Sequence, residues 1–143
     1  MIAIGSDHGG FDLKEKVIAH LKEQGMEVKD CGCFDKTSCD YPMFGKAVGE
    51  AVASGECEKG IVICTTGIGI SIAANKVKGV RAALCTDSLC ARMTRLHNDA
   101  NVLALGANIV GTGLALEITD IFLNTEFSGE ERHQRRIDLL ENE

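Results

Sequence analysis

Apolar residues in this chain fall into two recurring patterns, short unbroken runs and three-to-four-residue spacings, and the two alternate along its length. The stretch Met1–Ser6 carries Ile2, Ala3 and Ile4 and predicts a short strand ending in Asp7-His8-Gly9-Gly10. Phe11, Leu13, Val17, Ile18 and Leu21 then recur at helical spacing, which predicts a helix over 11–24 stopped by Gly25. A second strand begins over 26–28. A polar loop over 31–42 holds the only proline, and a helix is expected from about Met43 to Ala53. The run Ile61-Val62-Ile63 has the length and β-branched content of a buried parallel strand. Cys64 closes it, two threonines and two glycines follow, and residues 70–76 predict the first turns of a helix. A strand over 79–85, a helix over 87–96 capped by Thr86 or Asp87, and a strand over 101–105 come next. A helix over 114–123 and a polar helix over about 129–140 complete the series.

Five strands alternating with helices predict an α/β fold: a three-layer α/β/α sandwich around a five-stranded parallel sheet, Rossmann-like, with a C-terminal helical tail. No linker, repeat or low-complexity segment divides residues 1–143, so they are expected to form one domain. In open parallel sheets ligands bind beyond the carboxyl ends of the strands. The residues just past those ends are Asp7 and His8, Asp40 and Tyr41, Cys64 to Gly69, and Gly106 to Asn108. Four polar or glycine-rich turns should therefore share one edge.

Charge and composition narrow the choice of partner. A net charge of -6 argues against nucleic acid or an anionic membrane, which need a positive surface, but leaves room for a small anion in a locally positive pocket. No run approaches a transmembrane length, and M-I-A-I-G-S-D-H lacks the features of a signal peptide, so a cytoplasmic location is expected. Seven cysteines, an odd number without a C-x-x-C pair, are expected as free thiols. Cys31, Cys33 and Cys39 lack a fourth ligand at finger-like spacing, so no metal is expected.

The chemistry concentrates at Cys64. A strand turning sharply into a helix presents several N–H groups to one spot, where they attract negative charge and favour a thiolate. The glycines Gly67 and Gly69 lack the third glycine and later acid of a dinucleotide fingerprint, and their spacing fails the P-loop pattern. A small phosphate or enolate suits so tight a turn better. Asp7-His8 and His97-Asn98-Asp99 offer a carboxylate and two imidazoles, and Arg132 and Arg136, four apart, share a helical face that can clamp a phosphate. Each also has a plainer reading: a packing cysteine, a capping aspartate, helix-terminating residues, a solvated basic face.

The segments S-D-H-G-G-F-x-L-K, D-Y-P, C-T-T-G-I-G-I-S-I-A-A-N-K, R-L-H-N-D-A-N-V-L and R-H-Q-R-R resemble, in order and over nearly the whole chain, the RpiB/LacAB family of sugar-phosphate isomerases. The resemblance implies an aldose–ketose isomerase interconverting ribose 5-phosphate and ribulose 5-phosphate in the pentose phosphate pathway, without metal or organic cofactor. It also implies a homodimer, or a tetramer made of two such dimers, with active sites at the subunit interface. On it, Cys64 is the base acting through a cis-enediolate, and Thr65, Gly67, Ile68 and Gly69 line the anion hole. Thr66 helps move the hydroxyl proton, and His97 opens the sugar ring with Asp7. Asn98 and Tyr41 meet sugar hydroxyls, while His8, Arg132 and Arg136 hold the phosphate, with His133 assisting. Where many relatives carry an arginine, this chain has Asn108, and Arg135 is a replacement to consider. The rival readings are a hexose 6-phosphate isomerase acting on allose or galactose 6-phosphate, and a non-catalytic sugar-phosphate-binding module.

Overall fold

The computed structural model describes residues 1–142. Strands β1 (Ile2–Ser6), β2 (Val28–Asp30), β3 (Lys59–Cys64), β4 (Ala82–Leu84) and β5 (Val102–Gly106) pair in the order β2-β1-β3-β5-β4, every pair parallel. Around them lie α1 (Phe11–Glu23), α2 (Tyr41–Ala53), α3 (Ile68–Asn75), α4 (Ser88–Met93), α5 (Thr112–Asn124) and α6 (Glu131–Glu141). The α/β/α sandwich with a five-stranded parallel sheet and a helical C-terminal segment is the expected fold.

Alternation along the strands sorts side chains onto two unequal faces. Ile2, Ile4, Ile61, Ile63, Leu103 and Leu105 pack against α1 and α5 through Leu13, Val17, Leu21, Ile118 and Phe122. The opposite face carries smaller Ala3, Val62, Cys64, Val102 and Ala104 beneath α2 and α3. Small residues there let the helices come close. A β-carbon on Gly45 would lie 2.9 Å from that of Ala73, and one on Gly49 would lie 2.9 Å from Val77. Glycine one turn apart on α2 thus brings that helix onto α3, and the period of two hands Cys64 to the α3 side.

Several expected boundaries move. Helix α2 begins at Tyr41 rather than Met43, because Pro42 fits a helix's first turn, where its missing N–H costs nothing. Helix α3 begins at Ile68 rather than Ile70, since Gly67, left-handed at φ +79°, finishes the strand-to-helix turn early. Strand β2 starts at Val28 rather than Met26, and β4 shrinks to Ala82–Leu84. Residues just before β4 bond outside the ladder: Val80 N–H donates to Val77 O, and Arg81 N–H to the Asn101 side chain. The expected helix over 87–96 is capped by Asp87 but leaves α geometry after Met93, becoming one π-helical turn over Thr94–Asn98.

Candidate active site

The sheet order reverses direction between β1 and β3, and a crevice opens beyond strand ends at such a switch point. There the turn after β1 meets the turn after β3. Asp7 N–H donates to Ile63 O at 3.3 Å, and a β-carbon on Gly9 would run into the Thr65 hydroxyl. Asp7 is buried, and its carboxylate accepts Gly10 N–H at 3.0 Å, which fixes the turn carrying His8.

Within the β3–α3 turn the geometry centres on sulfur. The Gly67 N–H donates to Cys64 Sγ at 3.1 Å, and Cys64 is only 5% exposed. Thr66 Oγ1 accepts Ile68 N–H at 3.3 Å, leaving the first-turn N–H groups of Gly69 and Ile70 without intrahelical acceptors. Thr65 and Thr66 are exposed at the mouth. Tyr41 roofs the turn, its ring so near Gly69 that a β-carbon there would lie 2.7 Å from the ring. The segment after β5 closes the far wall: Ala107 N–H donates to Cys64 O at 2.9 Å and Asn108 N–H to Thr65 O at 3.0 Å. All four expected turns do share this edge.

His8 is oriented from a direction the sequence did not signal. Cys39 N–H donates to His8 Nδ1 at 3.2 Å, so the neutral ring carries its proton on Nε2. The loop holding Cys39 is anchored by the fully buried Lys14, whose Nζ meets both Asp30 oxygens at 2.8 and 2.9 Å. Asp30 in turn accepts Gly32 N–H at 2.9 Å.

The other expected site residues lie at the opposite edge. Cys64 pairs with Gly106 at one end of β5, whereas His97 and Asn98 precede the other end, where Val102 pairs with Gly60. Four strand rises separate the two levels, about 13 Å along the sheet. His97 stacks on His133 of α6, ring centroids 4.3 Å apart and planes at 20°. His133 is buried one helical turn from buried Ile137, a spacing that marks the inner stripe of α6. Burial pushes His133 below the ordinary histidine range, with His97 and Arg132 adding to the effect. Its Nε2 lies 3.1 Å from a Glu130 carboxylate oxygen without the alignment of a hydrogen bond. Arg132 pairs with Glu130 at 3.1 Å and Arg135 with Glu131 at 3.0 Å, while Arg136 has no carboxylate partner among the described residues. Arg135 sits on α6, at the edge away from Asn108. One chain therefore places the expected residues in two groups, the thiol with its glycine turn on one edge and, on the far edge, an imidazole pair with arginines.

The remaining thiols look structural. All seven cysteines are free. Burial pushes Cys31, Cys39 and Cys57 up and Cys85 up to about 12, while a hydrogen bond to Asp87 does the same for Cys90. Among the described residues no group of three or more histidine, cysteine, aspartate or glutamate side chains could hold a metal ion. No helix among them is long and apolar enough to cross a membrane.

The chain matches the family model described as Ribose/Galactose Isomerase over residues 2–140. It belongs to that family. It is 48% identical over 139 residues to ribose-5-phosphate isomerase B of Escherichia coli (strain K12), covering 97% of this chain and 93% of that protein. Across its full length it is 44% identical to the galactose-6-phosphate isomerase subunit LacB of Clostridium acetobutylicum, 85% of which is covered. Among solved structures, that of Clostridium thermocellum ribose-5-phosphate isomerase B superposes with a TM-score of 0.96 at 58% identity, over 98% of this chain and 94% of that one. The family's isomerase fold is thus this chain's fold.

Proposed function

We propose that residues 1–143 form one isomerase domain that interconverts ribose 5-phosphate and ribulose 5-phosphate, a step of pentose phosphate metabolism in the cytoplasm. The observation that carries this reading is the Cys64 sulfur held by Gly67 N–H at 3.1 Å, at the mouth of a helix, in a chain of this family. Proton transfer next to a carbonyl needs a base, and a place for the charge that develops on oxygen. The Cys64 thiolate takes the proton from one of the two reacting carbons and returns it to the other. The N–H groups of the Thr65–Gly69 turn that remain free, Gly69 among them, hold the enediolate oxygens between those events, and the Thr66 hydroxyl relays the hydroxyl proton. Asp7 and His97 open the sugar ring; Tyr41 and Asn98 meet its hydroxyls. His8, Arg132 and Arg136 hold the phosphate, whose distant binding orients the reacting end. No metal or organic cofactor has a role in these steps.

Because His97 and Cys64 occupy opposite edges of one chain, the reading includes a homodimer in which each site takes its thiol from one copy and its imidazole from the other. Ile68 and Ile72, one turn apart on α3, stay 52% and 54% exposed beside the thiol turn, an apolar stripe that a second copy would cover. Mixing two variants tests this. Cys64→Ala and His97→Ala should each be inactive alone. After dissociation and random re-association they should recover about a quarter of wild-type activity, since half the dimers carry one intact site. Activity in His97→Ala alone, or none in the mixture, would overturn the shared site. A hexose 6-phosphate is the rival substrate, because the family model is described as Ribose/Galactose Isomerase and one relative is a galactose-6-phosphate isomerase subunit. Specificity constants for ribose 5-phosphate against allose and galactose 6-phosphates decide it, and faster turnover of a hexose phosphate sinks the pentose assignment.

A further inference from the structure

Arg81 lies just before β4, at the sheet edge opposite Cys64, with its side chain 20% exposed. Its guanidinium reaches two separate elements at once. Nε donates to Asn98 O at 2.9 Å and Nη2 to Asp99 O at 2.9 Å, while Nη1 pairs with Glu141 Oε1 at 2.5 Å. The first two acceptors belong to the π turn that presents His97 and Asn98; the third ends the helix that presents Arg132, His133 and Arg136. That turn has unfavourable local geometry. Its helix is underwound, and Asp99 sits at φ +44°, a left-handed value rare outside glycine. Such backbone persists where its surroundings over-determine it. Arg95 supplies part of that from beneath, donating to Asp99 Oδ1 and Ala100 O at 2.7 Å and to Thr125 O at 2.9 Å. Beside the His97–His133 stack, Arg81 is the one side chain among the described residues that hydrogen-bonds both the turn and α6.

We propose that Arg81 is a positioning residue that locks the His97–Asn98 turn to α6, so that the ring-opening and phosphate-holding groups of the far half-site move as one body. This rests on the isomerase reading above. Three acceptors met by three separate nitrogens suit a guanidinium; a lysine ammonium on Glu141 leaves the two carbonyls unmet. A cavity of about 540 Å³, lined by Arg81, Thr94, Asn98 and Leu140, opens beside the fork and gives a small cation access to it.

The test uses the full-length protein carrying Arg81→Ala, Arg81→Lys or Glu141→Gln, with melting temperature and oligomeric state measured for each. Arg81→Ala should lower kcat on ribose 5-phosphate about 10²-fold, the usual consequence of an ångström-scale misplacement, and millimolar guanidinium should restore part of it. Arg81→Lys should not restore it. Glu141→Gln should raise KM with little change in kcat, because only α6 is released. Wash-in of solvent deuterium at C1 of saturating ribulose 5-phosphate, which needs Cys64 but no ring opening, should survive in Arg81→Ala. The imidazole proton resonances of His97 and His133, which report their stacking without any turnover, should shift. Wild-type kinetics and unshifted resonances in Arg81→Ala overturn the proposal. So does an equal loss of isomerisation and deuterium wash-in with the resonances unmoved. Should Arg81→Ala not fold, Arg81→Lys and Glu141→Gln carry the same readouts. If the wild-type protein fails to isomerise ribose 5-phosphate, the functional reading falls, and the histidine resonances alone still decide the role of Arg81.

Discussion

Replacing Gly67 by alanine attacks the turn in two separable ways. Gly67 has φ +79°, where an L side chain costs about 1–2 kcal/mol. Its new β-carbon would also lie 2.6 Å from Leu84 Cδ1, 2.8 Å from Leu105 C and 2.9 Å from Gly106 N. The leucine can rotate away, but the other two atoms are the backbone of β5 and cannot. Forcing such an overlap adds about 1–3 kcal/mol, so the total is about 2–5 kcal/mol. For a chain of this size that corresponds to a fall in Tm on the order of 10 °C. Relief of the overlap must displace the Gly67 N–H from Cys64 Sγ, and an ångström of misplacement costs about 10²-fold in rate. Gly55→Ala is the matched control: φ +84° with nothing within 4 Å, so strain alone, about 1–2 kcal/mol, and unchanged turnover. Thermal melts and steady-state kinetics on ribose 5-phosphate compare the two. A Gly67→Ala protein that matches Gly55→Ala in both Tm and kcat would refute the reasoning.

Three further outcomes are expected. Cys64→Ala should lower kcat by about 10²–10⁴-fold or more, the usual worth of a positioned base, while calorimetry still detects sugar-phosphate binding; full activity would remove Cys64 from the mechanism. Exhaustive dialysis against a chelator should leave the rate unchanged, and a loss reversed by added metal would contradict the proton-transfer scheme. Because burial holds His133 below its ordinary value of 6.5, the unfolded chain takes up a proton there before the folded one does. Stability should then fall as pH drops below about 6.5, and His133→Gln should flatten that dependence. Urea unfolding at pH 7.5 and 5.5 measures it; identical pH dependence in the two proteins counts against His133.

The apolar pattern carried the architecture because strand runs such as Ile61-Val62-Ile63 and the 11, 13, 17, 18, 21 stripe report burial directly. Where local bonding overrode burial, the pattern misled. Residues 79–81 look like strand, yet Val80 and Arg81 give their N–H groups to a turn and to the Asn101 side chain. The π turn is invisible to a 3.6-residue period, since its extra residue depends on the arginines that hold Asn98, Asp99 and Ala100. Most proposed site residues could be named in advance, because Asp7 follows β1, Cys64 ends β3, and Tyr41 closes the loop after β2. The division between two edges could not be. It depends on which end of β5 His97 precedes, and spacing does not give that. The roles of Arg81 and Cys39 escaped notice for a related reason: the Arg81 side chain meets backbone carbonyls, and the Cys39 backbone N–H meets the His8 ring, each in a segment distant in sequence.

Under the proposed homodimer, the two-edge arrangement also makes the substrate an assembly ligand. On the shared-site reading, a sugar phosphate bound between thiol and arginines touches both copies at once. Ligand that binds only the assembled state tightens that state by mass action, by about 2.7 kcal/mol per site at a hundredfold excess over its Kd. Dilution should therefore cost specific activity most when substrate is scarce. A cell making little of this chain would find its catalyst assembling in step with the sugar it consumes.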